Sequence, residues 1–288
     1  MAFKRLITVK VGPQPGPGET FPQGVLISDL NLAFEITRSI EQSSNECALT
    51  IYNAKRNTIS NMLKEGNNIR VEAGYEDEGT GVIFVGNIIS SNTSLTGINR
   101  VTNIKAGGIQ RSTATLSYVT ISMSYSANTV LAKPIKELAA ALNLAPFGAE
   151  IATNVLPNGF VFCGAAKGAF YQLRKVLKNY GLGMFIDNDV LIIHRIGKQD
   201  SRFKFAYLDK DSGLLGASEK SEEFRKGDTL EYKRRIEYSC ILNPSLVPNG
   251  LVTISGESVK GVFVNEKIKH KGDNFGGEFS TTGEAVAE

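Results

Sequence analysis

Histidine and cysteine are scarce in this chain, and so are the sites they build. Only two histidines occur in 288 residues. They are His194 and His270, and neither has a second ligand-type residue at the spacing a metal site needs. Both read as surface or strand histidines. The three cysteines, Cys47, Cys163 and Cys240, are odd in number and far apart, which excludes a disulfide framework and a CxxC metal knuckle. They read as small buried apolar side chains. Long apolar runs are also missing: no stretch approaches the ~18–20 residues of a membrane helix. Phe3–Val11, interrupted by Lys4, Arg5 and Lys10, is too short for a signal peptide. We expect no membrane span, and synthesis and assembly in the cytoplasm. Charge of one sign is not in excess either. A net charge of +3 implies no phosphate-binding surface, because clustering of cations is what neutralises phosphates.

The common catalytic signatures are absent. There is no GxSxG elbow, no HExxH, no Walker GxxxxGK[ST], and no GxGxxG opening a helix after a strand; the Gly12–Gly18 repeat carries three prolines and precedes no helix. Glu222–Glu223 and the pair Asp187/Asp189 are the carboxylates to weigh for glycoside hydrolysis, which needs two carboxyls about 5–9.5 Å apart across a substrate. The glutamates are neighbours in a charge run and the aspartates belong to a turn. We expect no enzyme activity, no catalytic residue, no metal site and no cofactor. Carboxyl pairs can come from anywhere in a fold, so a cell-wall carbohydrate-binding or muralytic module stays open as the alternative.

What is present is a chain that folds. Hydrophobic content of 42% with 21% charge is that of a globular protein, and 31.2 kDa suffices for two or three units. Leu30 to Gly108 organises the rest. Leu30, Leu32, Phe34 and Ile36 alternate with Asn31, Ala33 and Glu35, and Ala48–Tyr52 and Ile69–Tyr75 repeat that period of two, as half-buried strands do. Between them Asn57 or Thr58 is placed to cap a short helix with Ile59, Met62 and Leu63 on one face, ended by Gly66. Two strands, a helical turn and three more strands make a small barrel. Gly74 and Gly86 lie inside the strand patterns, where glycine marks a bulge or tight bend.

Asn45 with ALTIYN (Ala48–Asn53), the short helix, Gly66, EAGY (Glu72–Tyr75) and IFVGNI (Ile83–Ile88) together resemble the first barrel of baseplate hub proteins from contractile-tailed bacteriophages. The same module occurs in contractile bacteriocins and type VI secretion spikes.

Elsewhere the chain reads in three pieces. Leu6–Val11 is a strand, and Gly12–Gly24, with four prolines, is an exposed loop. The resemblance makes that loop a candidate partner contact. Alternation from Val101 to Thr120, with a bend at Gly107–Gly108, completes the first barrel. Then Ile135, Leu138, Ala139 and Leu142 mark an amphipathic helix with Pro134 in its first turn. Phe170, Leu173, Val176, Leu177 and Tyr180 mark a second, which Gly181 follows. MFIDNDVLIIHRIG is a hairpin turning at Asp187–Asp189. Phe203, Phe205 and Tyr207 alternate as a strand, and the charge run Ser218–Asp228 reads as an exposed loop. Short strands with Pro-Ser and Pro-Asn-Gly turns follow. In Leu242–Gly250, Gly261–Val264 and His270–Thr281 they resemble the phrases that close the same hub family.

The expected fold is mainly β (α+β): two small β-barrel domains, 1–120 and 200–288, separated by a small α/β insertion, 121–199, of two helices and a hairpin. The resemblance implies a structural baseplate hub in the virion tail. It implies a homotrimer forming a pseudo-sixfold ring that joins the sixfold tail tube protein to the threefold spike protein, beside other baseplate proteins. The tape measure protein and DNA would pass its lumen without sequence recognition. Compared with longer hubs the chain is short, so spike and lysozyme functions are expected on separate chains. A phage tail and a bacteriocin or secretion-system hub stay open as alternatives.

Overall fold

The computed structural model describes residues 4–13, 24–41, 45–108, 119–198, 202–226 and 229–287, for 221–226 and 229–233 the backbone only. The first run of strands is β1 (Arg5–Gly12), β2 (Val25–Ile27), β3 (Leu32–Ser39), β4 (Glu46–Tyr52), then α1 (Arg56–Asn61), β5 (Asn68–Tyr75), β6 (Gly79–Thr96) and β7 (Asn99–Gly107). Alternation sends Ile7, Val9 and Val11 of β1, Leu32, Phe34 and Ile36 of β3, and Leu49 and Ile51 of β4 into one core. Each such side chain, fully buried, contributes about 1.5–3 kcal/mol. Ile59 of α1, with Met62 and Leu63 just past its end, closes over this core.

Several local expectations change. Leu30 lies outside β3, because Asn274 holds both the Leu30 carbonyl (2.9 Å) and the Leu32 N–H (2.9 Å). Neither Asn57 nor Thr58 caps α1: Lys55 is the N-cap, without a side-chain bond. The Asn57 side chain accepts from Asn61 Nδ2 instead. Gly66 does take a positive φ of 85°, but in a turn beyond the helix, where its N–H donates to the Ile88 carbonyl at 2.9 Å. The register shifts of β6 fall at Ile83 and Ile89 rather than at glycine. Gly74 and Gly86 serve close approach: a Cβ on either would collide with a backbone carbonyl oxygen, that of Gly79 or Gly107.

The alternating run read through to Thr120 stops at Gly107, and 109–118 lies outside the described residues. Thr120 opens β8 (Thr120–Tyr125), which pairs not with the first strands but with a later one. Next come α2 (Ala132–Ala141), β9 (Ala145–Phe147), β10 (Phe160–Ala165), α3 (Ala166–Lys178), β11 (Leu182–Asp187) and β12 (Val190–Arg195). The faces read from the sequence are the buried ones: Pro134, Ile135, Leu138 and Ala139 of α2, and Phe170, Leu173 and Leu177 of α3. Gly181 has φ 70° after α3, and Asn188 and Asp189, both at positive φ, make the β11–β12 turn. The pairs β8–β10 and β9–β12 complete a unit with its own core.

The remaining strands are β13 (Phe205–Leu208), β14 (Leu214–Lys226), β15 (Thr229–Ile241), β16 (Leu251–Ser255), β17 (Lys260–Asp273) and β18 (Phe279–Ala287). Ser218–Lys226 is therefore a strand of a long hairpin, not a loop; Gly227 and Asp228 lie outside the described residues. Only Arg235–Ile241 of β15 pair with β18, so the hairpin arms run past the sheet. Where the arms leave the sheet, Arg234 forks onto Glu219 at 2.6 and 2.8 Å. In β13 the aromatic side faces outward: Ala206 and Leu208 are buried, Phe205 and Tyr207 exposed.

The architecture is mainly β. Thirteen strands form one sheet in the order β14-β15-β18-β17-β3-β4-β7-β6-β5-β1-β2, with β16 and β13 branching from β17. Long β17 is the seam. Lys267–Asp273 pairs with β3, Lys260–Val264 with β16, and both stretches with β18. On either side of the seam the sheet curls around a separate core, one with the β1–β7 residues and one with Ile236, Tyr238, Val252, Ile254 and Phe263. Hydrogen bonding does not close the first curl. Side chains span its gap: Tyr75 Oη donates to the Phe279 carbonyl at 3.4 Å, and Arg5 reaches the Asp273 carbonyl at 3.1 Å.

Candidate functional site

The middle unit docks on the end of the first core by its hairpin turn. Arg38 continues the inward register of Leu32, Phe34 and Ile36 on β3, and is itself buried, 2% exposed. Its guanidinium meets the Asp187 carboxylate through Nε (2.9 Å) and Nη2. Asn45 Nδ2 donates to the same carboxylate at 2.6 Å. Beside them, Asn188 Oδ1 accepts from the Val85 N–H at 2.9 Å, and Arg174 of α3 donates to the Ile40 carbonyl at 3.3 Å. Buried charges persist only when paired and hydrogen-bonded. The junction ties the β11–β12 turn to β3 and β6. Burial and the neighbouring Asp187 charge raise the pKa of Asp189 above the ordinary carboxylate value.

The signal for this junction was Arg38 itself. A charge at an inward strand position needs a partner, and the partner, 149 residues away, had been assigned to a turn.

His270 is fully buried on β17, its Nδ1 2.9 Å from Thr281 Oγ1. Burial, then the Arg38 charge, push its pKa down to about 3. The folded state thus favours neutral imidazole, while the unfolded chain binds a proton near pH 6.5. Stability is complete above about pH 6.5 and falls as pH drops toward 3, by up to about 1.4 kcal/mol per pH unit. Asp189, with its raised pKa, acts in the opposite sense. Urea unfolding between pH 7 and 5 should show this acid limb, and His270→Gln should flatten it.

The other candidates do not converge. His194 is buried edge-on to Phe185, with ring centroids 5.4 Å apart. Cys47 and Cys240 are buried, and burial raises both thiols, Cys240 to about 12. Cys163, expected inside, is exposed on the two-stranded β8–β10 sheet. Glu222 and Glu223 lie on β14. No cluster of three or more metal-ligating residues occurs among the described residues, and no helix is long and apolar enough to cross a membrane. A groove of about 550 Å³ on the outer sheet face is lined by Ser218, Glu237, Lys267, Lys269, Thr282 and Glu284. Its charges are tied up in pairs such as Lys267–Glu284 (2.7 Å) and Lys269–Glu35 (2.8 Å).

The surface features that stand out are edges and tips. Strand β14 ends the sheet at one side and β2 at the other, and among the described residues β14 has β15 as its single strand neighbour. The outer half of β6, Ser90–Thr96, pairs with β7 on one side and no strand on the other among the described residues. Leu95 near its end and Ile98 in the β6–β7 turn are exposed, as is Phe275 at the β17–β18 turn.

Comparison with known proteins follows this architecture. No match to a curated protein is found by sequence. Among solved structures, a tail protein from Neisseria meningitidis MC58 superposes with a TM-score of 0.66 at 10% identity, over 99% of this chain and 97% of that one. The 43 kDa tail protein of prophage MuSo2 from Shewanella oneidensis gives 0.64 at 14% identity, over 98% of each chain. The E. coli c3393 protein, a component of the type VI secretion system, gives 0.58 at 10% identity, over 97% of this chain and 76% of that one. At such identities these likenesses establish the fold. The sequence model of the family described as Baseplate hub gp41 matches residues 7–246, and the chain belongs to that family.

Proposed function

We propose that this chain is a structural, non-enzymatic hub of the tail baseplate in the virion, assembled in the host cytoplasm. Three copies form a pseudo-sixfold ring between the sixfold tail tube and the threefold central spike, leaving a lumen for the tape measure and DNA. Each copy divides into units 1–120, 121–199 and 200–288, with the first and last supplying the six positions of the ring. Similarity to tail proteins and to a type VI secretion component supports the setting.

One observation carries the ring. The sheet that joins both core halves runs from β14 to β2, and among the described residues β14 and the outer half of β6 each have a strand on one side alone. Open edges are pairing templates, and joining two different edges head to tail must close into a ring or polymerise. The outer face between those edges is suited to a lumen. Lys267, Lys269 and Lys271 on β17 are each answered by a carboxylate, Glu284, Glu35 and Glu278. A charge-balanced wall does not hold phosphate as a cationic one would.

Light scattering on the chain alone, and mixed with the tube and spike proteins of the same tail, tests the reading. The expected mass is three times the 31.2 kDa of the chain, alone or on mixing. A monomer under every condition overturns it and turns attention to cell-wall binding and hydrolysis.

A further inference from the structure

Phe275 is 84% exposed, yet the turn that carries it is tied down by several hydrogen bonds. Asp273 Oδ1 accepts from the N–H groups of Phe275 (2.7 Å) and Gly276 (3.3 Å). The Asp273 N–H donates to the Glu278 carbonyl at 3.1 Å. Asn274 is tied by side chain and backbone to Leu30 and Leu32. Arg5, from β1, donates to the carbonyls of Asp273 (3.1 Å) and Gly277 (3.0 Å), and Gly277 turns the chain at φ 74°. None of these bonds involves the phenyl ring. A turn so fixed, displaying an aromatic ring to water, has already lost the entropy that binding would otherwise cost, which is the design of an interface anchor.

Its surroundings define the partner. Arg5 pairs with Tyr75 across β1–β5, which places the β5–β6 turn, Glu76-Asp77-Glu78, beside the Phe275 turn. Lys4 answers Glu76 and Lys271 answers Glu278. Asp29, Asp77 and Glu78 have no ion-pair partner among the described residues, so this end is acidic. It is also the free end: β3 runs from here to Arg38, where the middle unit covers the opposite one.

We propose that the Asp273–Glu278 turn anchors this chain to the spike protein, with Phe275 entering an apolar pocket and Asp77 and Glu78 meeting its basic rim. The assignment rests on the trimeric hub reading. Each chain carries one such turn, at the seam where β17 passes between the two halves. A trimer therefore presents three anchors, matching a threefold partner one to one. A sixfold partner would leave half of its equivalent pockets empty.

The test is the affinity of the full chain for the purified spike and tube proteins of the same tail, measured by biolayer interferometry at 50 and 300 mM salt. Phe275→Ser should raise the Kd for the spike at least tenfold while melting temperature and assembly mass stay unchanged. Asp77→Asn with Glu78→Gln should weaken spike binding at low salt and flatten its salt dependence. Wild-type spike affinity in Phe275→Ser overturns the anchor while leaving a trimer intact. A loss confined to the tube protein overturns it as well. Absence of a trimer under all mixtures overturns the hub reading, and the anchor with it.

Discussion

Asp187→Ala should be the most damaging single substitution in the chain, costing about 3–5 kcal/mol of stability. It leaves the Arg38 guanidinium, 2% exposed, without its carboxylate, and removes the acceptor of Asn45. Water cannot replace them without opening the joint between the first core and the β11–β12 hairpin. Typical domain stability is about 5–15 kcal/mol, so a loss of this size brings the joint near its unfolding threshold. Urea unfolding measures the loss, and limited proteolysis should show earlier cutting between the first and middle units. The double variant Arg38→Met with Asp187→Leu separates pairing from position. Apolar replacement of both partners of a buried pair is often neutral or stabilising, so this variant should recover most of the stability. An Asp187→Ala protein as stable as wild type would show that Arg38 finds water or another acceptor, and that the pair is not what joins the units.

The same pair marks where sequence reading runs out. Strand alternation in β3, β4 and β5 and the apolar faces of α2 and α3 were legible, because each is a local period imposed by burying one face. The turn at Asn188–Asp189 was legible for the same reason: its residues are those that accept positive φ. By contrast, Asp187 has a role set by Arg38, on another strand far away, and nothing local to the turn reports it. Charge run 218–226 misled because it was compared with strands that have a buried face. Strand β14 pairs with β15 along that whole run, and backbone pairing of this kind needs no apolar alternation to reveal it. The seam strand β17 was seen as separate phrases, Gly261–Val264 and His270–Thr281. Its continuity depends on pairing with β3, more than 220 residues earlier. The anchor-like turn could not be read, since an exposed Phe275 and a buried one look alike in sequence.

On the proposed trimeric ring, charging the open edge of β6 should abolish assembly while sparing the fold. Asn92→Lys with Ser94→Lys places two cations on a stretch whose side away from β7 pairs with no strand among the described residues. Lysine on an edge is one of the ways natural sheets prevent pairing with a second chain. The residues are outside the core cluster, so stability should change by less than about 0.5 kcal/mol. Light scattering should fall from trimer to monomer, a complete loss rather than a graded one, because a ring missing any of its identical joints does not close. The reciprocal pair on β14, Gly216→Lys with Ser218→Lys, should give the same result, since each joint uses one edge of each kind. Asn103→Lys is the control: it adds charge to an exposed position on β7, whose edges are already taken by β4 and β6. It should leave the trimer intact. Trimers that survive lysines on both edges would locate the contacts elsewhere, and trimers lost in all three variants would implicate the charge of the face rather than its edges.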